Sequence, residues 1–232
     1  MPSLIAECLA KGDDLRSSAA HAAFETLLDK TRDGAIVSIG GGPTRIHPRL
    51  VNLNIVCAKG VDLVATAYRL PFAEGSIAGL HCEAVLEHLE HPEQAVVEMM
   101  RVLAPGGVVF AATPFLQPYH AYPDHYQNFT LTGHRRLFER AGFSIASSGT
   151  CVGPTFALVD LFANYAREFT PGRWPSRLLE RAIRIGGRAL RLLDVRLRHH
   201  EKSSLLCSST FVLATKPHFT TSARTPFPNT IM

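Results

Sequence analysis

The apolar run Ala35-Ile36-Val37-Ser38-Ile39 ends directly in Gly40-Gly41-Gly42-Pro43. A strand that ends in glycines can turn sharply at its carboxyl end, where a ligand reaches the main chain without meeting a Cβ. About forty residues later Leu86-Glu87-His88 follows, and then Arg101-Val102-Leu103-Ala104-Pro105-Gly106-Gly107. The order of these three segments constrains the fold more than any one of them. Taken alone, the glycine cluster is equally well a plain turn.

Further short apolar runs lie at 51–56, 61–65, 79–85, 108–112, 144–148 and 208–215. With 35–39 they read as seven strands. Residues 17–30 read as a helix with Ala22, Leu27 and Leu28 on the side that covers a sheet. Pro92 suits the first turn of another helix. Val96, Met99, Met100 and Leu103 then fall at helical spacing, until Pro105-Gly106-Gly107 stops it. A third helix starts at Thr130 or Thr132, either a suitable N-cap, and ends at Gly142. Strands alternating with helices predict a mostly parallel sheet covered on both faces. One link is short: only about eleven residues, Gly40 to Leu50, join the first two strands, where a parallel crossover normally takes a dozen or more. The first crossover helix is therefore expected to be short or missing.

At 232 residues and 46% hydrophobic, the chain can bury a core without staples. No apolar run approaches the roughly 18 residues of a membrane helix. Glu7, Asp13 and Asp14 stand where a leader peptide would avoid acids, so a cytoplasmic protein is expected. Five cysteines, with no CxxC pair, read as reduced packing residues. The net charge of +4 is concentrated: between Arg173 and Lys202 nine basic residues face three acids, which is +6 and leaves about −2 elsewhere. A single domain over 1–216 is expected, followed by a disordered Thr/Ser/Pro-rich tail, 217–232.

With its glycine turn, Leu70-Pro71-Phe72, Leu86-Glu87-His88 and Pro105-Gly106-Gly107, the stretch from Ala35 to Phe143 resembles the class I S-adenosylmethionine-dependent methyltransferases, in particular their type 11 branch. The resemblance covers about half the chain. It implies an α/β, Rossmann-like, seven-stranded sheet of order 3-2-1-4-5-7-6, with helices on both faces. It also implies a cofactor, S-adenosylmethionine, whose methionine portion is received at Ser38 and Gly40, Gly41 and Gly42. Where relatives carry a ribose-binding acid, this chain has Asn54. Where they carry an adenine-binding acid before Leu-Pro-Phe, it has Thr66, followed by Ala67. A third customary acid is Ala78. Neutral acceptors hydrogen-bond more weakly than carboxylates. Glu83, at the end of a central strand, is placed to touch the cofactor. A dinucleotide site is disfavoured because GxGxxG is absent.

Residues 114–130 concentrate His, Tyr and Asp in one loop after the fifth strand. In the resembled family this loop closes over the sulfonium. A neutral imidazole is a natural proton acceptor near pH 7, which points to His120 first and His125 second, with Asp124 orienting one of them. Tyr119, Tyr122 and Tyr126 offer ring surface to the substrate and to a sulfonium cation. For Phe115, Tyr126 and Phe129, a small core pinning the loop is an equal reading. Glu87 and His88 either floor the site or cap the following loop. His81, His88 and His91 invite a metal reading, but no carboxylate or cysteine completes a ligand set at known spacing, so no metal is expected.

Between the sixth and seventh strands, from about 153 to 202, two helical stretches form an insertion expected to cap the site. In the second, Leu179, Ile183, Gly186, Leu190, Leu193 and Leu197 make one stripe, and Arg177, Arg181, Arg184, Arg188, Arg191 and Arg198 lie opposite. The arginines read as a solvated face, a membrane-surface contact or a dock for an acidic ligand. No nucleic-acid recognition module is visible, and oligomeric state is left open. The expected reaction moves a methyl group to an oxygen or nitrogen of a small molecule or glycan. The alternative is a catalytically silent module that binds through the basic insertion.

Overall fold

The computed structural model describes residues 16–42, 45–121, 123–191 and 193–218. The expectations for Tyr122, for the side chain of Arg191 and for the tail beyond 218 lie outside the described residues. One sheet contains β1 (Ile36–Ile39), β2 (Leu50–Asn54), β3 (Leu63–Val64), β4 (Ile77–Glu83), β5 (Leu103–Pro114), β6 (Ser144–Val152) and β7 (Ser209–Thr215). Its order is β3-β2-β1-β4-β5-β7-β6, as expected. The first five strands pair in parallel, while β7 runs antiparallel to both β5 and β6. Among the described residues no helix lies between β1 and β2.

Strand alternation sends successive side chains of each strand to opposite layers. Val37, Ile39, Leu80 and Cys82 join one core cluster with α2 (Pro92–Val102), which buries Ala95, Val96, Met99 and Val102. Ile36, Leu50, Phe110 and Phe211 join the opposite cluster with α1 (Ser18–Lys30). The N-cap of α1 is Ser17, whose hydroxyl accepts from the Ala20 N–H at 3.1 Å. Its buried face is Ala20, Ala23, Phe24, Leu27 and Leu28, so Ala22 points to solvent, one position off the expected stripe.

The second expected helix stops earlier than the sequence suggested. Leu103 has already turned extended (φ −67°, ψ 136°) and pairs with Ile77, so Pro105-Gly106-Gly107 sits inside β5. Proline disfavours the helical region for Ala104 before it, and the sheet edge claims the freed residues. α3 (Leu131–Arg140) begins where Thr130 accepts from the Gly133 N–H at 3.1 Å.

The insertion is α4 (Pro154–Phe169), α5 (Arg173–Arg191) and α6 (Asp194–Leu197), all between β6 and β7. Asp194 accepts from the Thr155 and Phe156 N–H groups at 2.8 and 2.7 Å, satisfying the amino-terminal end of α4. α5 approaches α4 through Gly187, where a Cβ would stand 2.3 Å from Val159 Cγ1. The expected leucine stripe does not make that contact: Leu179, Leu190, Leu193 and Leu197 are exposed. A glycine allows closer helix approach than a leucine, and that decides the face. No helix among the described residues is long and apolar enough to cross a membrane.

Candidate active site

The candidate site lies at the carboxyl ends of β1 and β4, where the glycine turn and residues 83–88 stand. Gly40 (φ +71°) and Gly41 both donate to the Leu53 carbonyl, at 2.8 and 3.2 Å. A Cβ on Gly40 would stand 2.2 Å from Val85 Cγ2, and one on Gly41 only 1.8 Å from Asn52 Oδ1. At Gly42 a Cβ would meet nothing within 4 Å, so the main chain there borders open space. Two asparagine amides clamp the turn. Asn52 Nδ2 donates to the Gly42 and Gly60 carbonyls, and Asn54 Nδ2 to that of Gly41 at 2.7 Å. Asn54 Oδ1 accepts from the Val56 N–H at 3.1 Å. Thr66 lies in a tight turn in which its Oγ1 accepts from the Tyr68 N–H at 3.3 Å, and Ala67 is buried beside it. Ala78 sits at the other end of β4, donating to the Ala35 carbonyl at 3.1 Å. Five residues of strand, roughly 16 Å, separate it from Glu83, so an acid at 78 would not reach this site.

Beneath the turn runs a buried polar chain. Ser38 Oγ is 3.1 Å from His81 Nδ1, and His81 Nε2 is 3.4 Å from Glu83 Oε2. Glu83 is ion-paired with Arg16, a residue just before α1. The His81 ring stacks on Phe110 (5.7 Å between centroids) and meets the edge of Phe24. Burial alone would raise the Glu83 carboxyl, but the His81 hydrogen bond and the Arg16 charge outweigh it and hold the group at about 2. His81 thus stands between Ser38 and Glu83, hydrogen-bonded to the first and near the second.

After β4, Ala84 adopts φ +54°, in the left-handed region that alanine disfavours. This bend leads into a 3₁₀ turn, Leu86–His88, that buries Glu87 completely. Neither carboxylate oxygen of Glu87 has a hydrogen-bond partner outside its own residue. Burial, with a smaller push from the Glu83 charge, raises its carboxyl to about 7. Two imidazoles face it. His88 Nε2 and His120 Nε2 lie 3.8 and 3.9 Å from Glu87 Oε1. The other nitrogen of each ring meets a carbonyl: His88 Nδ1 that of Asp124 at 2.6 Å, His120 Nδ1 that of Pro118 at 2.9 Å.

The loop after β5 folds over this turn, with the Tyr126 N–H donating to the Glu87 carbonyl at 2.9 Å. His125 is occupied on both sides. Its Nδ1 accepts from the His120 N–H at 3.1 Å, which leaves Nε2–H to donate to Asn128 Oδ1 at 2.7 Å. Tyr119 stacks on His125 with ring centroids 5.7 Å apart. Asp124 orients His88 through its carbonyl, while the charge of its carboxylate raises the Tyr126 hydroxyl. The fold thus gathers Tyr119, His120 and His125, and leaves only His120 with a nitrogen aimed inward. The sequence named Glu87 with His88 as either floor or cap, but not that it would stand between His88 and His120. The one signal of that arrangement was an acid directly before His88 in an apolar turn.

Beside the loop, Pro118 and the outer face of α4 (Leu158, Leu161, Phe162, Tyr165, Phe169) border a groove of about 560 Å³. On α5, Arg184 bonds Asp160 and Glu180 at 2.8 and 3.0 Å, while Arg177, Arg181 and Arg188 are exposed.

Residues 46–111 match the family described as a methyltransferase domain. A stretch of 58 residues is 50% identical to an uncharacterized chloroplastic methyltransferase of Arabidopsis thaliana, covering 25% of this chain and 16% of that protein. The chain thus spans only a small part of that relative. A putative sarcosine dimethylglycine methyltransferase from Galdieria sulphuraria superposes with a TM-score of 0.55 at 13% identity, over 86% of this chain and 84% of that one. The [4+2]-cyclase SpnF gives 0.53 at 16% identity, over 86% and 82%. The Burkholderia thailandensis 1,6-didemethyltoxoflavin-N1-methyltransferase, solved with its substrate and S-adenosylhomocysteine, gives 0.50 at 13%, over 86% and 79%. At these identities the structures speak for the fold. The sheet order is that of a methyltransferase-type fold, and the matched segment spans β2 to β5 within it.

Proposed function

We propose that the chain transfers a methyl group from S-adenosylmethionine to an oxygen or nitrogen of a small molecule or glycan. The carrying observation is that the glycine turn after β1, with open main chain at Gly42, and the Glu87–His88–His120 cluster after β4 follow the carboxyl ends of two paired parallel strands, and that Val85 packs where a Cβ on Gly40 would stand. One fold neighbour is a cyclase, so the fold by itself leaves the chemistry to the site. The donor supplies an electrophilic methyl on a sulfonium. The open space at Gly42 fits its amino-acid end, and Asn54 and Thr66 offer neutral hydrogen-bonding groups to the rest. Ala67 lines the same wall. Ser38 and Glu83 support the turn from below, each beside His81.

On the acceptor side, His120 Nε2 takes the proton of the attacking hydroxyl or amine. Its Nδ1–H is held by Pro118, which fixes the tautomer that leaves Nε2 basic. Tyr119, stacked on His125, and Tyr126 lie on the same loop, and a substrate seated against them would help exclude water from the transferring methyl.

Calorimetry with S-adenosylmethionine and S-adenosylhomocysteine tests the reading. Binding of both is expected, and silence at millimolar ligand would overturn it. His120→Ala is expected to lower turnover by about 10²-fold or more with cofactor affinity unchanged.

A second reading, a silent module acting through the insertion, draws on one observation. Exposed Trp174, Leu178 and Ile185 lie on the same helix as exposed Arg177, Arg181 and Arg188, a composition suited to an anionic membrane surface. Cosedimentation with phosphatidylserine vesicles, abolished by Arg177→Glu with Arg181→Glu, would support it.

A further inference from the structure

We infer that Glu87, His88 and His120 form a binding site for a first-row divalent transition-metal ion. The argument starts from an unusual vacancy of bonding. A carboxylate with no exposed surface normally has its oxygens satisfied, because an unpartnered buried charge is among the costliest groups a fold can carry. Glu87 has neither oxygen satisfied beyond its own residue.

What faces it makes the case specific. Each neighbouring imidazole has its Nδ1 at hydrogen-bond distance from a main-chain carbonyl, 2.6 Å for His88 and 2.9 Å for His120. A carbonyl only accepts, so each Nδ1 carries a proton, and each ring turns its Nε2 toward the carboxylate. Three potential ligand atoms therefore converge, all within 4.8 Å of one another, with no hydrogen bond among them. The separations of 3.8 and 3.9 Å are too long for hydrogen bonds. A cation bound at about 2.0–2.2 Å holds its ligands about 3–4 Å apart, a range that covers both Glu87–histidine separations. The tie of each Nδ1 to a carbonyl is also the outer-shell arrangement that orients histidine ligands on metals.

Two imidazoles and one carboxylate favour zinc, cobalt, manganese, nickel or ferrous iron over magnesium or calcium, which prefer all-oxygen sets. Three protein ligands leave coordination positions open. His120 is 42% exposed at its side chain, against 16% for His88, so the open side faces the loop. The ligand class that would enter there is an oxygen donor such as a hydroxyl or phenol, whose acidity the ion would raise. In the metal-loaded protein His120 is a ligand, and the proton of such a donor leaves to solvent.

The sequence argued against a metal because no carboxylate completed a histidine set. Tertiary packing supplies it from the residue next to His88, and it excludes His91, which lies by exposed Glu93, and His81, which is bound to Ser38.

The test uses the full chain stripped with a chelator, titrated with zinc by calorimetry and with cobalt by visible absorption. One ion per chain is expected, with cobalt d–d bands. His120→Ala and Glu87→Gln should each weaken zinc binding by more than about 100-fold, beyond the 10–100-fold typical of losing an outer-shell partner. His91→Ala should change it by less than about twofold, as expected for an exposed residue outside the set. A chain that binds none of the five ions tighter than about 10⁻⁴ M overturns the inference, and so does affinity unchanged in His120→Ala. That variant lies on the exposed loop and carries the test even if the buried Glu87→Gln fails to fold. Metal binding and S-adenosylhomocysteine binding are separate titrations, so either reading can fail while the other stands.

Discussion

Glu83 and Glu87 stand four residues apart at the end of one strand, each beside a histidine, and the fold treats them oppositely. Glu83 is tied to Arg16 and His81 and held ionised at about 2, whereas Glu87 is buried without a partner and raised to about 7. Pairs of carboxyls driven apart in this way mark a division of labour. The satisfied one fastens the strand end to α1. The unsatisfied one faces the candidate site, where an open bonding position has a use.

Breaking the satisfied side should cost most. Arg16→Leu leaves the Glu83 charge without its cation, and a loss of about 3 kcal/mol is expected from denaturant midpoints at pH 7. An unchanged midpoint would mean that Glu83 is neutralised without Arg16. Because its folded value lies below the ordinary 4.5, Glu83 contributes stability above that pH and loses it as pH falls toward about 2. That acid limb should flatten in Arg16→Leu.

The unsatisfied side carries the opposite sign. Between about 4.5 and 7 the folded state keeps a proton on Glu87 that the unfolded chain releases, so its contribution falls as pH rises. In chelator-treated protein, Glu87→Gln is therefore expected to stabilise the chain at pH 8 by about 2 kcal/mol and to change little at pH 4. Equal effects at both pH values would remove the contrast. Ser38→Ala, which strips His81 Nδ1 of its partner, should cost about 1 kcal/mol. The smallest effect is at the bend between the two sites. Ala84→Gly relieves a left-handed alanine but loosens the unfolded chain, for a net change of about 0.5 kcal/mol or less. A larger loss would show that the Ala84 methyl is needed for packing.

Much of the scaffold was legible because it depends on local chemistry. Apolar runs gave the seven strands, Thr130 was one of two N-caps offered for α3, and the short Gly40–Leu50 link predicted a short or missing helix, none being present there among the described residues. Errors fell where two elements competed. Ala22 and the stripe through Leu179 and Leu190 fit helical spacing, but burial went to Ala23 and Gly187, since the approach of a neighbour, not periodicity alone, selects the face. Leu103 to Pro105 fit a helix end and became a strand because β4 offered a partner. In the candidate site, the sequence singled out His120 and the glycine turn. It could not foresee that His125 would spend both nitrogens on its own loop, or that His81 would stand between Ser38 and Glu83.

The amino-acid order by itself determined a doubly covered parallel sheet with a glycine turn at the end of its first strand, because backbone freedom, side-chain alternation and capping act over a few residues. Only the tertiary structure decided which polar groups at the site are partnered. Arg16, Glu83, Glu87 and His120 come from segments far apart in the chain, and whether a buried charge meets a counter-charge or a lone pair depends on where packing brings those segments together.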